Sequence, residues 1–148
     1  MATGHFLTDR GKYNLTLGRL STFKIGLCVA QNALADSAAK VALFNTVTDL
    51  LVTSSCTECS ASGYARVALA SLTRTEDDAN TRVNFDAADV AFGALGTGQT
   101  IYGAFYYDAT TDTNDTTREL ISVDWFATPV PTNGGTYTYA IADFIRLS

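Results

Sequence analysis

Ile101-Tyr102-Gly103-Ala104-Phe105-Tyr106-Tyr107 and, after a polar interval, Leu120-Ile121-Ser122-Val123-Asp124-Trp125-Phe126 form the stretch whose reading decides the fold. Both runs are apolar and aromatic, and both read as strands. The interval between them, Asp108 to Glu119, is almost entirely Asp, Thr and Asn, so it reads as a long hairpin loop. Pro129 and Pro131 predict the end of the second strand, because neither has a backbone donor. Asn133-Gly134-Gly135 then supplies a tight turn with positive φ before strands over Tyr137 to Ile141 and Phe144 to Leu147.

Upstream, Tyr64 to Thr73 reads as an extended run, and Val83 and Phe85 alternate with Asn84 and Asp86. Between them, Thr75-Glu76-Asp77-Asp78-Ala79-Asn80-Thr81-Arg82 is a cluster of acid and amide side chains, the signature of a connection between strands. Phe23 to Ala30 is apolar and too short for a core helix, so a buried strand is expected. Thr8 caps a short helix at the N-terminus, with Asp9 at the positive end of its dipole and Gly11 and Thr16 limiting its length. From Ala33 to Val52 a helical turn capped by Asp36 or Ser37 is expected, followed by an extended segment, because β-branched residues begin at Thr46. Seven or eight short strands predict an all-β chain, an antiparallel β-sandwich or barrel with a short N-terminal helix. Residues 1–22 are read as an N-terminal arm and 23–148 as one sandwich-like domain. The predicted core holds Phe23, Ile25, Leu27, Val67, Leu69, Val90, Phe92, Ile101, Phe105, Ile121, Val123, Trp125 and Ile145.

The 148 residues suit one domain. With 47% hydrophobic and 17% charged residues, the chain is too apolar for disorder. The net charge of -5 and the scattering of Lys and Arg exclude a phosphate-binding surface, so no nucleic-acid partner is expected. Neither a signal-peptide pattern nor an apolar run of membrane-spanning length is visible, which predicts a protein made and assembled in a cytoplasm without a membrane partner.

Candidate chemistry is sparse. His5, the sole histidine, has no evident base or third group with which to build a hydrolytic triad. Cys28, Cys56 and Cys59 are odd in number, which predicts free thiols. Cys56-Thr57-Glu58-Cys59 has the spacing of half a zinc site that Cys28 and His5 could complete, but no second close pair exists and no metal is expected. Asp108, Thr110, Asp112, Asn114, Thr116 and Glu119 fall at the ligand positions of a calcium loop. Thr113 stands where such a loop needs Gly, however, so a solvated hairpin tip is the expectation. Gly93-Ala94-Leu95-Gly96-Thr97-Gly98 lacks the Lys of a phosphate-binding loop. Glu76, Asp77 and Asp78 lack a visible substrate cleft and suit self-capping of a turn. No catalytic residue and no cofactor are expected.

Four sets of residues follow one another along nearly the whole chain. They are Leu7-Thr8-Asp9-Arg10-Gly11-Lys12 with Phe23-Lys24-Ile25-Gly26-Leu27; Thr48-Asp49-Leu50 with Gly63-Tyr64-Ala65; Thr75 to Arg82; and Asn133-Gly134-Gly135 ahead of Phe144-Ile145-Arg146-Leu147. In this order they resemble a family of small virion structural proteins of tailed bacteriophages. The resemblance implies a non-enzymatic role in the particle, as a decoration or cement protein on the outer surface of the head with the major capsid protein as partner. A tail-associated or receptor-binding module for host attachment is the second expectation. An enzyme acting on host polysaccharide would need a carboxylate pair that the chain does not supply. On the decoration reading, Phe6, Leu7, Arg10, Lys12 and Arg19 bind the capsid, and Tyr102, Tyr106, Tyr137 and Tyr139 meet neighbouring copies in a homotrimer.

Overall fold

In the computed structural model the described residues are 4–16, 22–31, 37–51, 56–110, 114–141 and 145–147. In chain order the elements are β1 (Gly4–Leu7), α1 (Asp9–Thr16), β2 (Phe23–Gln31), α2 (Ala38–Val41), α3 (Val47–Leu51), β3 (Cys56–Glu58), β4 (Val67–Ala68), β5 (Thr73–Asp77), β6 (Arg82–Asp86), β7 (Val90–Ala94), β8 (Thr100–Asp108), β9 (Leu120–Pro131), β10 (Thr136–Tyr139) and β11 (Ile145–Leu147). The chain is all-β, as expected, and every strand pairing is antiparallel. The largest sheet runs β1-β9-β8-β2-β3, with β4 also paired to β2; β10-β7 and β11-β6-β5 form two smaller sheets.

The central strands β2, β8 and β9 are covered on both faces. On one, Phe23, Ile25, Leu27, Ile101 and Ile121 pack with Phe85, Val90, Phe92, Leu95 and Ile145 from the smaller sheets and their connections. On the other, Cys28, Phe105, Tyr107, Val123 and Trp125 pack with Val41, Val47 and Leu50 from the short helices. Two-sided burial explains why the runs that opened the reading are continuously apolar instead of alternating. Each fully buried aliphatic or aromatic side chain of these layers contributes about 1.5–3 kcal/mol relative to exposure. All of the predicted core side chains are buried except Val67, which is partly so.

Glycine lets aromatic rings lie across the central strands. Gly26 on β2 stands opposite Phe105 on β8, and Gly103 on β8 stands opposite Trp125 on β9. A methyl at Gly26 would overlap the Phe105 ring; one at Gly103 would come within 2.5 Å of both the Asp124 carbonyl oxygen and the Trp125 ring.

The N-terminal segment is built into the sheet. β1 pairs with β9 through His5–Asp124, Phe6–Val123 and Leu7–Ser122. Thr8 is fully buried, and its hydroxyl donates to the Leu120 carbonyl at 2.5 Å while accepting from Gly11 N at 2.8 Å. It thus caps α1 as expected and moors the helix to β9. Within the segment read as an N-terminal arm, residues 4–11 are therefore packed against the main sheet.

Three further expectations change. Where an extended segment was predicted after Thr46, α3 forms, because Asp49 Oδ2 accepts from Asn45 N and Thr46 N at 2.8 Å each and Thr46 Oγ1 accepts from Asp49 N at 3.3 Å. This reciprocal cap outweighs the weak helix propensity of the β-branched residues. The predicted connection Thr75 to Arg82 is narrower than expected: Thr73–Asp77 and Arg82–Asp86 are paired strands, and only Asp78–Asn80 and left-handed Thr81 turn. Asp77 accepts from Asn80 N and Arg82 Nε there, the self-capping its composition suggested. Finally, β9 continues through both prolines to Pro131. Past Trp125 it has a described neighbour, β8, on one side only, and proline is tolerated at such an edge.

The cysteines are not all free thiols. Cys28 on β2 and Cys56 on β3 form a disulfide within the helix-side core, and Cys59 is the buried free thiol. Adjacent β2 and β3 bring the two α-carbons to 5.8 Å, ordinary spacing for a disulfide.

Candidate functional site

Asp124 is an acid in the middle of the apolar run of β9. The sheet register sets it between Ala104 of β8 and His5 of β1. The Tyr139 hydroxyl donates to its Oδ2, and His5 Nδ1 lies 3.5 Å from Oδ1. Tyr106 of β8 interacts electrostatically with Tyr139, so that β1, β8, β9 and β10 all contribute to one polar cluster. Around it stand aromatic faces: Phe126 stacks on Tyr139 at 5.2 Å between centroids, and Phe92 stacks on Tyr137 at 6.1 Å. The side chains border an open groove of about 530 Å³ lined by Asp124, Phe126, Thr128, Val130, Tyr137 and Tyr139.

The electrostatics of this groove are one-sided. Burial, with the Asp124 charge adding to it, pushes Tyr137 up to about 12. Burial raises Tyr139 and Tyr106 further, again with a contribution from Asp124. All three therefore stay protonated at neutral pH, and Tyr139 donates to Asp124. The arrangement is a mostly buried carboxylate, its side chain 12% exposed, behind aromatic walls. A carboxylate so placed can pair with a cation or accept from a donor group.

A second charged cluster is structural in form. Arg66 donates to Glu58 through Nε and Nη2, each at 2.7 Å, and to Asp115 through Nη1 and Nη2 at 2.6 and 2.8 Å. Its guanidinium lies over the Phe105 and Tyr107 rings. Burial opposes its charge, but the hydrogen bonds to Glu58 and Asp115 outweigh that and raise its pKa.

Of the tyrosines expected at a subunit interface, the fold brings Tyr106, Tyr137 and Tyr139 together at Asp124, while Tyr102 packs on the opposite, helix-side face. Tyr106 is 1% exposed and has no surface to offer a neighbour, which removes it from the interface set. Among the expected capsid-binding residues, Phe6 and Leu7 are partly buried against the two cores. Arg10 and Lys12 are exposed, reaching Glu119 and Asp9 at 3.2 and 3.5 Å. Arg19 lies outside the described residues. Asp124 was missed, although a single acid inside an apolar aromatic run is a readable signal, since such residues are rarely buried without a purpose.

The remaining candidates resolve into structure. Cys56 and Cys59 belong to different cores, and Cys56 is already bonded to Cys28. In the Asp108–Glu119 loop, Asp108 accepts from Thr110 N, Asn114 accepts from Thr116 N and Glu119 meets Arg10; Asp112 lies outside the described residues. Within Gly93 to Gly98, Gly96 N donates to the Ser62 carbonyl at 2.8 Å, so this turn binds its own chain. No group of His, Cys, Asp and Glu among the described residues is placed to hold a metal ion.

No protein-family model, curated protein or solved structure matches this chain.

Proposed function

We propose that this protein is a non-enzymatic structural component of a bacteriophage particle, a decoration protein attached to the outer surface of the head through the major capsid protein. The observation that carries this reading is the corner where α1 meets α2. Asp9 N donates to the Ala42 carbonyl at 3.1 Å, which holds the two short helices together. The two large apolar side chains standing exposed among the described residues, Tyr13 at 56% and Leu43 at 74%, both belong to this corner. Arg10 and Lys12 share α1 with Tyr13. Exposed apolar side chains on both helices, beside Arg10 and Lys12 whose charges meet Glu119 and Asp9, suit a docking surface. The resemblance segments support the same reading, since Thr8, Asp49, the Asp77 turn and Asn133–Gly135 all specify corners of the fold.

Attachment to purified particles tests this. Replacing Tyr13 by Ser and Leu43 by Asp should abolish attachment and leave the circular dichroism spectrum unchanged; undiminished attachment refutes the docking corner. Many copies per particle are expected for a shell protein, whereas a few copies would make it the tail-associated module instead. Assembly as a homotrimer belongs to the decoration reading, and sedimentation of the purified protein reads it directly.

A further inference from the structure

The groove beside Asp124 asks for a positively charged occupant. Its carboxylate is largely withdrawn from water, and a charge so placed is costly unless something answers it. Tyr139 donates one hydrogen bond, and His5 stands at 3.5 Å on the β1 side. The groove side is bordered by the rings of Phe126, Tyr137 and Tyr139, whose faces attract cations. The trough is open, so an occupant carried on a larger molecule can enter while the rest of that molecule lies over the surface. The net charge of -5 favours encounter with a basic partner.

We propose that this groove accepts a lysine side chain presented by a partner protein, its ammonium paired with Asp124 and its methylenes against Phe126 and Tyr139. The long alkyl stem and compact charge of lysine match an apolar trough ending in one carboxylate. This goes beyond the decoration reading, because it holds for any partner carrying the lysine, and its test needs no particle.

The test is a nuclear magnetic resonance titration of the isolated protein with capped Gly-Lys-Gly, using the same peptide carrying acetyl-lysine as the uncharged control. Saturable shifts of the Asp124, Phe126 and Tyr139 amides with the lysine peptide, absent with the control, are expected. Asp124→Asn should weaken binding by roughly tenfold or more. Should that variant unfold, Phe126→Ala supplies the second arm, with a smaller loss expected. Equal response to both peptides, shifts located elsewhere, no response at all, or a like response to glucose would each overturn the proposal.

Discussion

Arg66 and Asp115 lie 49 positions apart in the chain and meet through paired hydrogen bonds of 2.6 and 2.8 Å. The contact ties the segment ahead of β4 to the connection between β8 and β9. Arg118 reinforces it, donating to the same carboxylate at 2.7 Å while lying over Tyr107. On the other side Glu58 holds Arg66 and also accepts from Tyr64, whose hydroxyl in turn accepts from Leu27 N. One guanidinium thus joins β3, two connections and the aromatic surface of the main sheet.

Arg66→Ala should therefore destabilise the fold by about 2–3 kcal/mol, below the cost of breaking a fully buried pair because these side chains keep some solvent access. Arg66→Lys should recover only part of the loss, since an ammonium has three donors and cannot make paired bonds to both carboxylates or stack as a planar fork. Urea denaturation measures both. In the double variant Arg66→Ala with Asp115→Ala the losses should fall short of additive; strict additivity would show that the pair is not coupled.

Gly103→Ala tests the close approach of β8 and β9. The added methyl meets both a backbone oxygen and the Trp125 ring at 2.5 Å, so the strands must move, at a cost of about 1–3 kcal/mol or more. Gly26→Ala meets the Phe105 ring instead, and pairing it with Phe105→Leu should recover part of its loss. Thermal melting of the three variants separates backbone obstruction from side-chain crowding; recovery absent in the double variant would count against the ring as the obstacle.

How much of this could be read beforehand follows from the range of the interactions. Local patterns were legible: the runs around Phe23–Leu27, Ile101–Tyr107 and Leu120–Phe126, the Thr8 cap and the Asn133–Gly135 turn all depend on neighbours in sequence. The helix α3 was hidden because its propensity is poor and its reciprocal Thr46–Asp49 cap is a finer signal. β5 was hidden because it is almost wholly exposed and polar, so no alternation marks it. The disulfide, the Arg66 clamp and the Asp124 cluster depend on strand register across distant segments, which composition does not encode. Tyr137 and Tyr139 share one face of β10, as strand alternation dictates, but the partner Tyr139 meets there is an acid of the same chain.

The tyrosines at the groove set the alkaline limb of stability. Unfolded tyrosine ionises near 10, whereas burial moves Tyr137 up to about 12 and raises Tyr64, Tyr106 and Tyr139 as well. A group whose pKa is raised by folding favours the native state fully below its unfolded value, and that contribution disappears as pH climbs through the folded one. Stability should accordingly fall between about pH 10 and 12. Phenolate absorbance should rise in two stages, with the groove tyrosines ionising only as the fold opens. A single smooth titration near 10, with the fold intact, would contradict their burial.

The cysteines offer the most direct check on the helix-side core. With Cys28 bonded to Cys56 and Cys59 buried, the native protein should show almost no thiol reactivity. Denaturation without reductant should expose one thiol, and reduction should release all 3 cysteines. Because the bond spans 28 positions, its loss relaxes a sizeable loop in the unfolded chain, and reduction or Cys28→Ser should cost about 3 kcal/mol. The loss should fall mainly on the packing of Val41, Val47 and Leu50, which share that core, so the backbone amides of α2 and α3 should exchange hydrogen faster after reduction while those of β7 and β10 change little. Exchange accelerated equally across both layers would mean that the bond supports the whole sheet and not its helical cover.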